Sequence, residues 1–314
     1  MIRSILTTVA VASLLTLGDR ASVAIEVIVE RPGEAFVGGR LVGGGWWFVG
    51  GLKRDDFIVT VDDVEVPVND CVVDDGPVSV VVMVDITAST LWPGPQGGLG
   101  IEKPLNDQLL AHFRKEDRVR FASVGRQVVM ASAFTTDRRL TQQGLIEAMA
   151  PRPEARAGPS PVWDALDAAL SALEPEPGRR AVILLSDGKA TGNHKDLSEV
   201  ADRALALGIP VSTLYTGQGP VILAQASKQN ALVRPGLAME RLSEATGGLA
   251  VVMAAPNPNK PGPLTEILLA LRSVYRISVT TSHNDGQFHR VTVRTRDANY
   301  RVRARGAFRA SGAE

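Results

Sequence analysis

Along this chain the spacing of apolar residues changes twice, and the two changes divide it into three. In the first stretch apolar and polar residues alternate: Ile25-Glu-Val-Ile-Val-Glu30 and Ile58-Val-Thr-Val61 read as strands with one buried face. The second of these passes through Asp62-Asp63 into Val64-Glu-Val-Pro-Val68, which predicts a hairpin with an acidic turn. Between them, Gly38-Gly-Arg-Leu-Val-Gly-Gly-Gly-Trp-Trp47 reads as a hairpin tip whose tryptophans pack back onto a sheet, with a binding loop as the alternative.

From Val78 the pattern is different. Val78-Ser-Val-Val-Val-Met-Val84 and Arg180-Ala-Val-Ile-Leu-Leu185 are nearly unbroken apolar runs, as expected of strands covered on both faces. Further strands are predicted over 119–124, 127–134, 210–215 and 249–253. Helical periods predict helices over 104–115, 137–149, 162–173, 195–207, one ending at Gly247-Gly248, and 264–274. For the helix from Val162, Ser160 is the expected N-cap and Pro161 the first helical residue. Alternation then returns in 275–281, 287–295 and 300–304, with Asn284-Asp-Gly286 as a turn.

Alternating strands and helices with short loops predict an α/β fold, a doubly wound and mostly parallel sheet. Neither alternating flank has enough strands to be stable alone, so the two are expected to pair into one small β domain with the α/β unit inserted between them. The implied division is a signal segment at 1–24, an N-terminal β segment at 25–75, the α/β domain at 76–274 and a C-terminal β segment at 275–314.

Composition narrows the function. The 34 basic and 34 acidic side chains cancel, which removes any general electrostatic case for nucleic acid or an anionic membrane. Cations between Arg290 and Arg309 alternate with apolar residues and read as the wet face of strands. Residues 1–24 have the form of a secretory signal, with Arg3, the apolar run Ile5 to Leu17 and small residues at Ser22-Val-Ala24. That run is too short to span a bilayer comfortably, so the expected location is secreted or periplasmic, with an uncleaved anchor as the alternative. Cys71, the single cysteine, can form neither an internal disulfide nor a cysteine-based metal site, and is expected to be a small buried hydrophobe.

The candidate chemistry sits where the two apolar runs end. Asp85-Ile-Thr-Ala-Ser89 places a carboxylate and the hydroxyls of Thr87 and Ser89 on one loop, at the strand end where open α/β sheets bind ligands; a plain Asx or Ser/Thr turn is the alternative. The second run closes in Ser186-Asp-Gly188, and adjacent parallel strands would bring Asp187 to the same rim as Asp85. Ser160, at a helix start, can reach it too. Two carboxylates and three hydroxyls, without histidine or cysteine, suit Mg²⁺ or Mn²⁺ and disfavour Zn²⁺.

These three loops resemble the metal-ion-dependent adhesion site of von Willebrand factor A domains. Asp85-Ile-Thr-Ala-Ser89 is similar to the family's Asp-x-Ser-x-Ser signature with Thr87 for the first serine, Ser160-Pro-Val-Trp-Asp-Ala165 to its second loop, and Ser186-Asp-Gly188 to its third. Leu52-Lys-Arg-Asp-Asp-Phe57 and Leu271-Arg-Ser-Val-Tyr-Arg-Ile277 extend the likeness to a bacterial group of secreted proteins related to that family. The resemblance implies direct metal ligation by Thr87 and Ser89, ligation by Ser160 directly or through water, and Asp85 and Asp187 acting mostly through water. It further implies Mg²⁺ (or Mn²⁺ or Ca²⁺) with one position left for a carboxylate of a protein partner. The function expected is non-enzymatic adhesion or protein–protein interaction. Two alternatives stay open: a Mg²⁺-dependent hydrolase, for which His194 is the one candidate base, and an envelope scaffold with a degenerate metal site. The insertion Leu91 to Gly100 departs from the family and would lie beside the site.

Overall fold

The computed structural model describes residues 21–37, 40–87, 90, 105–131, 133–150, 158–216, 235–253 and 262–311, without the side chains of 33–37, 40–46, 216, 235 and 253. Residues 1–20 of the expected signal segment, the insertion at 91–100, Ser89 and the Trp46 side chain lie outside the described residues.

The first strands are β1 (Ala21–Val37), β2 (Arg40–Phe48), β3 (Phe57–Val61), β4 (Val64–Val66) and β5 (Val68–Asp74). They are followed by β6 (Val78–Asp85), β7 (Arg118–Val124), β8 (Val128–Met130), α1 (Arg138–Met149), α2 (Val162–Leu173), β9 (Arg179–Ser186), α3 (Leu197–Leu207), β10 (Val211–Thr216), α4 (Pro235–Thr246), β11 (Ala250–Met253) and α5 (Pro263–Arg272). Then come β12 (Val274–Thr281), β13 (Phe288–Thr295), β14 (Arg301–Ala304) and β15 (Ala307–Arg309). Among the described residues these make a mixed α/β molecule with three sheets.

The central sheet runs in the order β11-β10-β9-β6-β7-β8, parallel throughout except for the antiparallel edge strand β8. Every residue of β6 is buried, which explains why its sequence does not alternate. Val80, Val82 and Val84 pack on one face with α1 and α5 residues such as Leu145 and Ile267. Val81 and Met83 pack on the other with Leu166, Val200 and Met239 of α2, α3 and α4. Each such side chain contributes about 1.5–3 kcal/mol when fully buried. From β6 the chain moves to β7 on one side and later returns through β9 on the other, so the β6/β9 boundary is the point where the strand order reverses. Its carboxyl edge is the crevice that open α/β sheets offer to ligands.

The two flanks form the remaining sheets together. β1 from the N-terminal side pairs with β12 from the C-terminal side, from Ala21 opposite Thr281 to Ile28 opposite Val274. In the second sheet β3 pairs with β13, Val61 opposite Val291. Ile25, Val27, Phe57, Val59, Tyr275, Ile277, Val291 and Phe308 fill the space between the sheets. Tyr275 donates its hydroxyl hydrogen to the Val49 carbonyl at 2.9 Å and accepts from the Leu52 amide at 3.1 Å, using its polar tip to tie down the approach to β3.

Two local expectations change, the helix over 104–115 and the packing of Trp47. The helix expected over 104–115 is instead a π turn, Leu105–Leu109, followed by a 3₁₀ turn, Leu110–His112. Leu105 and Leu109 reach the core, while the Gln108 carbonyl is engaged by Thr265 Oγ1 of α5. Ser22, Val23 and Ala24, the small residues of the expected signal segment, lie in β1 opposite Thr280, Val279 and Ser278. Trp47 sits opposite Arg31 and remains 49% exposed, not packed back onto the sheet.

Cys71 lies half-buried on β5, where burial, helped by the Asp70 and Asp56 charges, pushes its thiol up to about 11. Two pH units above an ordinary thiol cost about 100-fold in thiolate, and the greater basicity returns about tenfold in nucleophilicity. Cys71 is therefore expected to react with iodoacetamide at pH 8 about tenfold more slowly than glutathione, read by mass spectrometry of the intact protein.

Candidate metal centre

β6 delivers Asp85 to the carboxyl edge of the sheet with its side chain fully buried. Oδ1 accepts from the Thr87 amide at 3.0 Å and from Thr87 Oγ1 at 2.6 Å. Oδ2 accepts from Ser160 Oγ at 3.0 Å and Ser186 Oγ at 2.7 Å. Hydroxyls from three separate segments thus meet on one carboxylate. Burial holds the Asp85 carboxyl above its ordinary range and the charge of Asp187 adds to this, while the hydrogen bonds from Thr87 and Ser186 pull the other way.

The second segment is locked to the third. Ser160 and Thr191 exchange two hydrogen bonds, Ser160 N to Thr191 Oγ1 at 3.0 Å and Thr191 N to the Ser160 carbonyl at 2.8 Å. Asn193 Oδ1 accepts from the Trp163 amide at 2.7 Å, and the Asp164 carboxylate takes the amides of His194 and Lys195. The loop after β9 therefore wraps the start of α2: its Asn193 satisfies one donor that a helix N-terminus leaves open, and its own amides are taken by Asp164 of the helix. Ser160 is not the N-cap. Pro161 occupies that position without a side-chain bond, which frees the Ser160 hydroxyl for Asp85.

Gly192 makes this wrap possible. Its φ is +69°, and a Cβ there would lie 2.6 Å from the Pro159 Cβ. Gly192→Ala should destabilise the protein by about 1–3 kcal/mol, from left-handed strain plus the displaced loop. A thermal melt measures the loss, and a parallel metal titration should show weakened binding because Ser160 moves with the loop.

Asp187 follows Ser186 at the same rim. Its Oδ1 accepts from the Lys189 amide at 2.9 Å. Oδ2 is buried and has no hydrogen-bond partner among the described residues; Lys189 Nζ lies 3.3 Å away, an ion-pair distance without hydrogen-bond geometry. Thr90 Oγ1, in the turn that follows Asp85, is another buried oxygen without a partner there. A buried oxygen without a donor is costly in a protein interior. Asp187 Oδ2 on the loop after β9 and Thr90 Oγ1 on the turn after β6, at a rim whose oxygens come from carboxylates and hydroxyls, fit a hard divalent cation. The hydroxyls that donate to Asp85 keep lone pairs for such an ion.

Of the residues singled out from sequence, Asp85, Thr87 and Ser160 are in direct contact, Asp187 is one residue beyond the Asp85 partner Ser186, and Ser89 lies outside the described residues. Ser186 was not among them, although its place at the end of the second apolar run was a usable signal. His194 is 92% exposed and its ring pairs with Asp164 at 2.9 Å.

No family model and no curated protein matches the chain. Among solved structures, it is similar to a conserved hypothetical protein, BatB, from Bacteroides thetaiotaomicron, with 22% identity over 62% of this chain and 99% of the other and a TM-score of 0.47. An aerotolerance-related membrane protein from Bacteroides fragilis shares 19% identity over 62% of this chain and 98% of its own, with a TM-score of 0.46. The SpRpn10 VWA domain shares 12% identity over 62% of this chain and 94% of its own, with a TM-score of 0.41.

Proposed function

We infer that the chain is a von Willebrand factor A-type binding protein that holds a divalent cation at the β6/β9 edge and uses it to recognise a carboxylate on a protein partner. The observation that carries this reading is the meeting of Thr87, Ser160 and Ser186 on the buried Asp85. Thr87 and Ser160 would hold the ion through their hydroxyls, with Asp85 and Asp187 completing the shell and Ser89 a further ligand by resemblance. Bound there, Mg²⁺ supplies a positive charge that few anionic ligands quench, so an acid group from outside is attracted to it. The chain's own residues orient the oxygens and keep Asp85 away from bulk water.

The reading is of a protein without catalytic activity that works outside the cytoplasm, in keeping with the signal-like character of 1–24. Among the described residues no helix is long and apolar enough to cross a membrane. His194, the candidate base of the hydrolase alternative, has one ring nitrogen on Asp164 and is otherwise in solvent.

Calorimetric titration of Mg²⁺ and Mn²⁺ into the purified chain tests the site. Saturable binding is expected for the native protein and none for Asp85→Ala or for the milder Asp187→Asn. Identical traces for native and both variants would overturn the metal assignment. A Mg²⁺-dependent phosphoesterase or peptidase activity lost in Asp85→Ala would replace the binding role with an enzymatic one.

A further inference from the structure

A second cluster of ligating side chains lies far from the first in type as well as place. At the end of the paired β flanks, Asp62, His283 and His289 each offer one ligand atom, all within 4.8 Å of one another. Asp62 belongs to the β3–β4 turn, His289 to β13 and His283 to the β12–β13 connection. The cluster joins residues more than 220 positions apart in sequence.

The geometry around Asp62 is built, not incidental. Asp62 and Asp63 both have positive φ, 47° and 67°, a conformation rare outside glycine and tolerated best by Asn and Asp. The Asp62 amide donates to the Arg290 carbonyl and its Oδ1 accepts from the Arg290 amide, both at 2.9 Å. Arg290 also pairs with Asp63. This leaves Asp62 Oδ2 facing the two imidazoles, 2.8 Å from His289 Nδ1 and 3.8 Å from His283 Nε2. The rings stack with centroids 3.7 Å apart. His289 is buried, backed by Phe308 at 5.7 Å, while His283 is partly open to solvent.

On its far side His289 Nε2 lies 2.9 Å from Asp285 Oδ1. A metal-bound histidine is usually held in this way, its second nitrogen donating to a carboxylate that fixes the ring and raises its basicity. We propose that Asp62, His283 and His289 form a binding site for a Zn²⁺-class divalent ion, with Asp285 as the positioning residue. Two imidazoles and one carboxylate are the donor set that Zn²⁺, Ni²⁺ or Cu²⁺ takes and Mg²⁺ does not. Ligand atoms around tetrahedral Zn²⁺ sit about 3.3 Å apart, so the Asp62–His289 pair at 2.8 Å opens by about 0.5 Å while the accessible His283 moves in by roughly 1.5 Å at most. The ion takes the place of the hydrogen on His289 Nδ1, and that proton leaves to solvent. Three protein ligands leave a position for water or for a group from a partner.

Such an ion would bridge the N-terminal and C-terminal halves of the β sandwich. It binds the folded chain, where the three ligands are brought together, more tightly than the unfolded one, so it stabilises by mass action.

Untagged protein is titrated with Zn²⁺ in excess Mg²⁺ and, separately, as the Asp85→Ala variant. About one equivalent of Zn²⁺ should bind in both, which separates this site from the one at the sheet edge. His283→Ala and Asp62→Asn should abolish binding, and Asp285→Asn should weaken it about 10- to 100-fold. The visible absorption of added Co²⁺ should report tetrahedral nitrogen and oxygen ligation and disappear in His283→Ala, a change that a fold defect would not mimic if the circular dichroism of that variant is native. Zn²⁺ binding that persists in His283→Ala, or none in the native chain, overturns the proposal.

Discussion

Replacing Arg179 by Met should lower stability by about 2–5 kcal/mol, chiefly because two carbonyls lose a buried charged donor at about 1–3 kcal/mol each, with a smaller share from its pairing with the partly exposed Glu26. Arg179 opens β9 and is 7% exposed. One guanidinium nitrogen donates to the Asp74 carbonyl at 3.1 Å, where β5 hands over to the central sheet, and another to the Leu271 carbonyl at 2.7 Å, near the end of α5. Nε lies 3.5 Å from Glu26 of β1. One side chain therefore ties both connections between the sandwich and the α/β unit. Burial already holds Glu26 above the ordinary carboxylate range, with Arg179 as the main opposing influence. Without the guanidinium the Glu26 carboxylate keeps only the weaker influence of Arg305, and two carbonyls lose a charged donor.

In a chain of this size such a loss moves the melting midpoint by on the order of 10 °C. Adding Glu26→Gln to Arg179→Met should recover part of it, because the stranded charge is gone. Mg²⁺ affinity should hardly change: the strand separates Arg179 from the rim by about 25 Å. A melt of Arg179→Met within 2 °C of native, measured by calorimetry at about pH 7, would show that the connections do not depend on this residue.

How much of this was legible in the sequence depended on how far each signal reached along the chain. The runs of β6 and β9 stood out because burial on both faces removes polar alternation, and Asp85 and Asp187 stood out because a carboxylate directly after such a run is conspicuous. The strand β5 did not: Val68-Asn-Asp-Cys-Val-Val-Asp74 lies at a sheet edge and is mostly exposed, so nothing imposes a period of two on it. Ser160 before Pro161 carried every local mark of a helix cap, yet tertiary contact with Asp85 claimed its hydroxyl. The pairing of Asp62 with His283 and His289 was beyond any local reading. Asp62-Asp63 was read correctly as a turn, but only the β3–β13 register brings that turn against β13.

Lys189→Met should tighten Mg²⁺ binding at the β6/β9 edge about 10- to 100-fold, an expectation that rests on the binding role proposed above. The Lys189 ammonium lies 3.3 Å from Asp187 Oδ2, the buried oxygen that a cation at this site would need. Two unit charges at about 4 Å interact by about 4 kcal/mol near a protein surface, and the half-exposed ammonium retains only part of that. An incoming divalent ion must displace this charge or sit beside it, and either costs affinity that the neutral Met does not. Lys189→Arg keeps the charge and should leave the affinity within about threefold of native. Rising ionic strength should narrow the gap between Lys189→Met and native, since screening weakens the repulsion being removed. Equal Mg²⁺ dissociation constants for native and Lys189→Met at low salt would mean that the ammonium swings clear when the ion arrives and that the carboxylates of Asp85 and Asp187 set the charge the ion meets.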